Sequence, residues 1–342
     1  MSDAISPAAL GYRLPAEWEP HAATWLSWPH KQESWPGNFS PIPAVWQKLA
    51  TTLARFEPVR ILASGAALGQ ARAMVGGVPN VMLHDVPTDD AWLRDSGPMF
   101  LVAPPGAPPA LVDWGYNAWG GKYPPFELDD AIPARVAAIT GRKCFSPGIV
   151  LEGGSIDGNG AGTILTTEQC LLNPNRNPGL SRSDVERYLT DYCNARKVLW
   201  LGEGFVGDDT DGHIDQLARF VGPTTVVAAY ESNESDENYP PLADNLRRLS
   251  SMTDADGRPL EIVRLPMPSP KFYDGQRLPA GYLNFYIANG VVIFPTFDDP
   301  ADTVVQAALA RLFPTRQIIG QRAVELVWGL GAFHCITQQE PA

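Results

Sequence analysis

The chain of 342 residues carries 26 lysines and arginines against 38 aspartates and glutamates, which gives a formal net charge of −12 at pH 7. That charge repels phosphate backbones and argues against a nucleic-acid partner, whereas it would attract a small cationic molecule. The 44% hydrophobic content indicates a folded protein, and no apolar run approaches the roughly 18 residues of a membrane span. The N-terminal segment has no basic stretch followed by an apolar one, so we expect a cytoplasmic protein without a membrane partner.

The predicted elements repeat along the chain in one pattern. A strand begins near residue 24, and four strand–turn–strand segments begin at residues 96, 153, 212 and 282. Helical stretches lie between them, including PIPAVWQKLATTLARF, SRSDVERYLTDYC and PLADNLRRLSSM. This recurrence favours a ring of five similar units with the strands towards the axis, and an ordinary irregular α/β domain is the alternative. No linker divides the sequence, so we expect a single domain over residues 1–342.

Strongly polar residues recur where the first strand of several units begins. Asp95 precedes the second unit, Glu152 precedes the third, and His213 and Asp215 flank Ile214 in the fourth. Strand alternation would point His213 and Asp215 to the same face, and in a ring all four positions would converge on one mouth. Each residue also has a simpler explanation, namely a turn cap for Asp95, a solvated loop carboxylate for Glu152 and a core position for His213.

The cysteines and the absent binding motifs limit the kinds of reaction that the protein could catalyse. The four cysteines, Cys144, Cys170, Cys193 and Cys335, form no CxxC pair, and we interpret all as thiols, three of them filling the core. Metal-binding spacings such as HExxH are absent, as are the GxGxxG and phosphate-loop motifs. Thiol chemistry is left, with Cys335 as nucleophile and His213 transferring protons.

The acidic surroundings of such a thiol suggest the substrate. Several carboxylates would oppose a thiolate and raise its pKa, so we expect the substrate to bring the positive charge. A guanidinium is planar, permanently charged and rich in donors, and two carboxylates can clamp it. Fixing its central carbon in the line of attack would make a poor electrophile reactive.

Long segments in a characteristic order give the chain a family resemblance. From about residue 11 to the end it resembles the agmatine deiminase family, among the guanidino-group-modifying enzymes. That resemblance implies the pentein fold, an α/β-propeller with five-fold pseudosymmetry around a central active site. The segments that carry it are LPAEWEPHAATWLSWP, DDAWLRDSGPMF, VDWGYNAWGGKYPPF, LEGGSIDGNGAGTILTTEQCLLNPNRNP, GHIDQLARFV, YLNFYIANGVVIFP and HCITQQEP.

The resemblance implies a role for each polar residue. Cys335 would form an amidino-thioether with the guanidine carbon, and His213 would act as general acid and then general base. Asp95 and Asp215 would hold the guanidinium nitrogens, and Glu152 would orient His213. The products would be N-carbamoylputrescine and ammonia, and the resemblance implies neither a metal nor an organic cofactor.

Recognition of the rest of agmatine depends on other residues. Trp92 and Trp119 are candidates to line the aliphatic chain, and Asp209 is a candidate partner of the distal ammonium. The loop before Cys335 departs from the family pattern Gly-Gly-Gly-Asn-Ile-His-Cys at Leu330 and Ala332. Two alternatives stay open, a sibling peptidyl-arginine deiminase and a non-catalytic polyamine-binding protein on the same fold. A homo-oligomer is compatible with the sequence, which does not indicate the number of subunits.

The C-terminus is predicted to be structured. Closing a ring brings the last segment beside the first, so residues around Cys335 are expected to form an interior strand. Alternation along that strand would point His334 away from Cys335, to the opposite face.

Overall fold

The structure is a computed structural model that describes residues 5–342. Residues 1–4 of the predicted domain lie outside the described residues. The helices are α1 (Ile42–Leu53), α2 (Gly65–Val75), α3 (Leu93–Ser96), α4 (Ala118–Gly121), α5 (Glu127–Asp130), α6 (Ile132–Thr140), α7 (Glu168–Leu171), α8 (Arg182–Cys193), α9 (Tyr239–Ser250) and α10 (Ala301–Leu312).

The strands between residues 5 and 342 form five sheets of one pattern and a short separate hairpin. The first sheet has the order β18 (Thr337–Pro341), β1 (His21–Ser27), β2 (Val59–Ala63) and β3 (Val81–Asp85). The other four are β4 (Met99–Leu101), β5 (Ala110–Val112), β6 (Cys144–Phe145); β7 (Asp157–Gly158), β8 (Thr163–Thr167), β9 (Lys197–Leu201); β10 (Ala218–Phe220), β11 (Thr225–Tyr230), β12 (Glu261–Pro266); and β15 (Tyr286–Ala288), β16 (Val291–Thr296), β17 (Gln317–Arg322). The separate hairpin is β13 (Phe272–Tyr273) with β14 (Gln276–Arg277).

Each of the five sheets begins with an antiparallel pair, whose second strand then pairs with a parallel strand. The four predicted hairpins are confirmed as β4–β5, β7–β8, β10–β11 and β15–β16. In the first sheet, the antiparallel partner of β1 is β18, the last strand of the chain. The prediction that the C-terminus forms a strand beside the first segment is therefore confirmed for Thr337–Pro341, whereas Cys335 lies ahead of that strand.

Local sequence explains the helices that pack outside these sheets. Helix α8 begins at a capping box, in which the Ser181 and Asp184 side chains each accept the other residue's backbone N–H, and it ends at left-handed Asn194. Helix α1 buries Trp46, Leu49 and Leu53 on one face, at the three- and four-residue spacing of a helix. Among residues 5–342, every helix is too short or too polar to cross a membrane.

Candidate active site

Cys335 lies in the turn immediately before β18 and lines a pocket of about 530 Å³. Its buried thiol receives a hydrogen bond from Asn284 Nδ2 at 3.0 Å, and Asp215 Oδ2 lies 3.6 Å from Sγ. Asn284 Oδ1 also accepts the backbone N–H groups of Ala332 and Cys335, at 3.1 and 3.2 Å, which holds the loop in place. Burial and the charges of Asp215 and Asp95 raise the pKa of Cys335 well above its usual value, so the thiol is neutral without a ligand.

His213 lies between two carboxylates. Its Nδ1 is 3.7 Å from Asp95 Oδ1, and its Nε2 is 4.0 Å from Glu152 Oε2. Among residues 5–342 neither ring nitrogen has a hydrogen-bond partner, and neither does Glu152 Oε2. Burial opposes a charged imidazole, but Asp95, Cys170 and Glu152 outweigh it and raise the pKa of His213 well above its usual value. The ring therefore has a proton to donate at neutral pH.

Asp95, in α3, is held by hydrogen bonds to both of its oxygens. Oδ1 accepts the backbone N–H of Gly154 and Oδ2 accepts the indole N–H of Trp119, both at 2.9 Å. A Cβ on Gly154 would lie 2.7 Å from Asp95 Oδ1, 2.7 Å from His213 Nδ1 and 3.1 Å from Asp215 Oδ2. Three of the predicted side chains thus surround one point, which leaves room only for glycine at position 154.

Asp215 is held through one oxygen and leaves the other free. Its Oδ2 accepts a hydrogen bond from Asn284 Nδ2 at 3.1 Å and lies 2.7 Å from His334 Nδ1. Its buried Oδ1 has no partner within the described part of the chain. Burial alone would raise the pKa of Asp215, but His334, His213 and Arg219 lower it below its usual value. Asp215 is therefore an oriented, ionised carboxylate.

Strand alternation was the wrong basis for the predicted direction of His334, although His334 does line a cavity separate from the pocket of Cys335. Both residues lie in a turn, where strand alternation does not apply, and His334 contacts the same Asp215 oxygen as the thiol. Its other nitrogen, Nε2, lies 2.8 Å from Glu17 Oε2, which also accepts a hydrogen bond from Arg219 at 2.7 Å. Strand alternation was also the wrong reason for the approach of His213 to Asp215, because Asp215 lies within the 3₁₀ turn Ile214–Gln216 that precedes β10, and His213 directly precedes that turn.

Glu152 is fixed from behind by an arginine. Arg176 Nε donates to Glu152 Oε1 at 2.7 Å, and the same guanidinium bonds the Thr210 carbonyl at 2.9 Å and contacts Asp211. Sequence reasoning assigned no role to Arg176 or Asn284 and set His334 aside, although all three lie inside family segments, in NPNRNP, YLNFY and HCITQQEP. We call Asp95, Glu152, His213, Asp215 and Cys335 the inner cluster; all five are buried, and Asp95 and Cys335 line the pocket.

The other cysteines are free thiols in different surroundings. Cys193 is buried, with Sγ 3.7 Å from Met99 Sδ, as expected of a residue that fills the core. Cys170 was interpreted in the same way, but Cys170, Glu152 and His213 each place a potential metal-ligand atom within 4.8 Å of the others. These three buried residues are the side chains of the site that could hold a metal ion.

The pocket wall also has an aromatic section. Trp92 and Trp119 both line it, and Trp92 stacks on Trp35 with ring centroids 5.3 Å apart. Further out, Asp209 also lines the pocket, but its carboxylate is already engaged by Lys122 Nζ at 3.3 Å and by the Tyr123 hydroxyl.

The β13–β14 hairpin covers one side of the entrance. The Tyr273 ring lies 4.0 Å from that of Trp328, centroid to centroid, and its hydroxyl donates to the Pro36 carbonyl at 2.9 Å. Leu330, also on the pocket wall, has a φ of 70°. The backbone here thus keeps the left-handed conformation that favours glycine, the residue in the family pattern at this position. We call Tyr123, Asp209, Tyr273, Arg277 and Trp328 the outer wall.

Sequence comparison agrees with this arrangement over the whole chain. A family model described as Porphyromonas-type peptidyl-arginine deiminase matches residues 13–341. The agmatine deiminase of Pseudomonas aeruginosa (strain LESB58) is 40% identical over an alignment of 360 positions, which covers 98% of this chain and 97% of the relative. The chain belongs to the agmatine deiminase family. An agmatine deiminase from Ectopseudomonas mendocina matches over the same shares at 39% identity.

Solved structures of the agmatine deiminase family superpose closely. The enzyme of Enterococcus faecalis is 34% identical with a TM-score of 0.94, covering 99% of this chain and 98% of that one. A cysteine-to-serine variant of the C. jejuni agmatine deiminase, with substrate bound, is 30% identical with a TM-score of 0.89, covering 97% and 96%. DDAH from Pseudomonas aeruginosa, at 14% identity, a TM-score of 0.50 and 94% and 99% coverage, shares the fold alone. These neighbours agree with the predicted pentein fold class.

Proposed function

We propose that this protein hydrolyses agmatine to N-carbamoylputrescine and ammonia through a covalent intermediate on Cys335. The observation that carries the proposal is the inner cluster, in which three carboxylates, an imidazole and a thiol are buried together beside a pocket. Family membership supports the same activity, because the Pseudomonas aeruginosa relative and the Enterococcus faecalis enzyme, which both match nearly the full chain, are agmatine deiminases.

Asp95 and Asp215 hold the guanidinium. The unpartnered Oδ1 of Asp215 and the oxygens of Asp95 are acceptors for its N–H groups, and charge-assisted bonds of this kind are the strong ones. Because Asn284 and His334 fix Asp215 through Oδ2, the clamp is oriented before the substrate arrives. Binding therefore costs little reorganisation.

Cys335 is the nucleophile. The bound cation offsets the carboxylate charges that raise the pKa of Cys335, so the thiol loses its proton to solvent only when substrate is present. The sulfur then bonds to the guanidinium carbon. One carbon–nitrogen bond breaks, and the leaving amine takes a proton from His213 and departs as ammonia.

Hydrolysis of the resulting amidino-thioether uses His213 in the opposite direction. Having given up its proton, the imidazole accepts one from a water molecule, whose oxygen bonds to the same carbon. The carbon–sulfur bond breaks, which returns Cys335 and leaves the ureido group of the product. Glu152, fixed by Arg176 with Oε2 towards Nε2, orients His213 and stabilises its charged form.

The remainder of the pocket favours a small cationic substrate. Trp92 and Trp119 line it where the four-carbon chain would lie. The two cations of the pocket wall are already paired, Lys31 Nζ with Asp90 at 3.7 Å and Arg277 with Asp236 at 2.7 Å. A substrate carboxylate would therefore find no unpaired cation among the described pocket residues, which favours agmatine over arginine. Because Lys122 and Tyr123 engage Asp209, we give it only a weak role towards the distal ammonium.

We further propose that the five sheets close into a ring around the inner cluster, as one domain over residues 1–342. The shared strand pattern and the pairing of β18 with β1 support closure. A cytoplasmic location and a homo-oligomer stay predictions.

The proposal is tested by measuring ammonia and ureido product from agmatine, arginine and a blocked arginine peptide. Agmatine should be turned over fastest, and Cys335→Ser should make no product while keeping its fold. Equal or faster turnover of the peptide would identify the sibling peptidyl-arginine deiminase. Agmatine binding to the parent protein without any product would identify the polyamine-binding alternative.

A further inference from the structure

Cys170 is a buried thiol beside the inner cluster that the proposed reaction does not use. It lies in α7, where its backbone N–H bonds the Thr167 hydroxyl oxygen at 3.2 Å, so the position of the thiol is fixed. Its sulfur belongs to the group of ligand atoms that lie within 4.8 Å of one another. A residue that only filled the core would have no reason to stand against His213 and Glu152.

Two of the three potential ligand atoms lack a hydrogen-bond partner within the described part of the chain. Glu152 Oε2 and His213 Nε2 are 4.0 Å apart, fully buried and without a hydrogen-bond partner among residues 5–342. Buried polar atoms normally have a partner, so two adjacent exceptions beside a thiol point to a missing ligand. One oxygen, one nitrogen and one sulfur donor are the set from which zinc sites are built. Zinc bonds of about 2.0–2.3 Å would require the three side chains to close by roughly 1 Å.

The surrounding contacts are those that ligands of a metal ion need. Arg176 holds the other oxygen of Glu152 at 2.7 Å, and Asp95 Oδ1 lies 3.7 Å from the other ring nitrogen of His213. Groups of this kind orient metal ligands and set their basicity. A thiolate and a carboxylate would together balance the charge of a divalent ion.

We propose that Glu152, Cys170 and His213 form an inhibitory site for a divalent transition-metal ion of the zinc type. A bound ion takes the Nε2 nitrogen of His213 and the free oxygen of Glu152, which leaves the imidazole unable to cycle its proton. A substrate molecule in the pocket would block the path of the ion to these ligands, so substrate slows metal binding. Access is through the substrate pocket, since Asp95 lines that pocket and lies next to His213. The effect on turnover rests on the proposed function, whereas metal binding does not.

Binding is tested without activity, on Cys335→Ser, which removes the reactive thiol. Titration with Co²⁺ should show one equivalent bound, with the near-ultraviolet thiolate-to-cobalt absorption. The absorption should vanish when Cys170→Ala or Cys170→Ser is added, and it should persist when Cys193→Ala, an equally buried thiol, is added instead. Thermal unfolding of each variant verifies the fold. Absence of the absorption in Cys335→Ser, or its persistence without Cys170, would overturn the proposal.

Inhibition is tested with Zn²⁺ on the protein with Cys335 intact. Zinc should abolish agmatine turnover, EDTA should restore it, and saturating agmatine should slow its onset. For each variant, inhibition is expressed as a fraction of that variant's own rate without metal. The zinc concentration that halves the rate should be at least about 100-fold higher for Cys170→Ser than for the parent. Loss of a residue that only orients a metal ligand already lowers metal affinity 10–100-fold, and Cys170 is itself a ligand. If Cys170→Ser is as sensitive as the parent, zinc acts at Cys335 and the assigned site is wrong.

Discussion

The inner cluster and the outer wall differ in whether their polar and charged atoms have partners. Around Cys335, Asp215 Oδ1, Glu152 Oε2 and both nitrogens of His213 are buried and have no hydrogen-bond partner among the described residues. On the half-exposed outer wall, Asp209 is paired with Lys122 and Tyr123, and Arg277 is paired with Asp236. The same residue types are thus unsatisfied at one end of the pocket and satisfied at the other.

This difference in pairing indicates which part of the pocket contributes most to substrate affinity. An unpaired buried charge costs several kcal/mol, and a ligand that pairs with it recovers that cost. Pairs at the surface contribute about 0–1 kcal/mol. We therefore expect recognition of the guanidinium by charge at the inner cluster, and selection of the rest of the substrate by the shape of the aromatic section.

Deleting residues 333–342 removes the inner end of the pocket and should have the largest effect. Strand β18 pairs with β1, and Glu340, a buried residue of β18, accepts the indole N–H of Trp25 at 2.7 Å. We expect loss of activity and of cooperative unfolding, measured by calorimetry. Removing Ala342 alone is the control and should shift Tm by only about 2–4 °C, as for a loss of about 1 kcal/mol. A truncated protein that unfolds like the parent would contradict the interior position of this segment.

Replacing the carboxylates that hold the guanidinium, and one on the outer wall, compares the two regions directly. Asp95→Asn and Asp215→Asn should each lower kcat/KM for agmatine by roughly 30- to 5,000-fold, the equivalent of about 2–5 kcal/mol for a buried charge pair. Asp209→Asn, a matched change on the outer wall, should lower it by less than about fivefold. Losses of the same size at positions 209 and 215 would remove the distinction between the regions.

His334 should control the acid limb of the activity profile. Its contact with Asp215 lowers the pKa of that carboxyl, so His334→Asn should raise this pKa. Asp215 is then protonated at a higher pH, and kcat/KM should begin to fall about one pH unit earlier as the solution is acidified. The exposed His30 serves as control, and His30→Asn should leave the limb in place. An unchanged limb in His334→Asn would mean that Asp215 is held ionised by other groups.

The sequence predicted a large part of this arrangement from local signals. Alternating apolar residues and turn residues marked the four hairpins, and the polar positions before them marked Asp95, Glu152, His213 and Asp215 as a group. The structure brings these residues together with Cys335, although two of the reasons for expecting this were wrong. His213, Asp215 and Cys335 lie in turns rather than strands, because the chain must bend sharply to direct them at one point.

What the sequence did not predict depends on contacts between distant segments. Arg176 and Glu152 are 24 residues apart, and Asn284 and Cys335 are 51 apart. No local pattern connects such pairs. Cys170 is a further example. The sequence around it indicates only a buried helical position, and its approach to His213 depends on the fold.

The central claim is that the inner cluster is short of positive charge until the substrate supplies it, and the alkylation rate of Cys335 against pH tests it most directly. Because burial and carboxylates raise the pKa of this thiol, the free protein should be alkylated with a pKa above the ordinary value of about 8.5. A non-reactive guanidine ligand should lower that pKa by one unit or more, with Cys335→Ser correcting for the other cysteines. An alkylation pKa near 5 in the free protein, or one that the ligand leaves unchanged, would contradict the account.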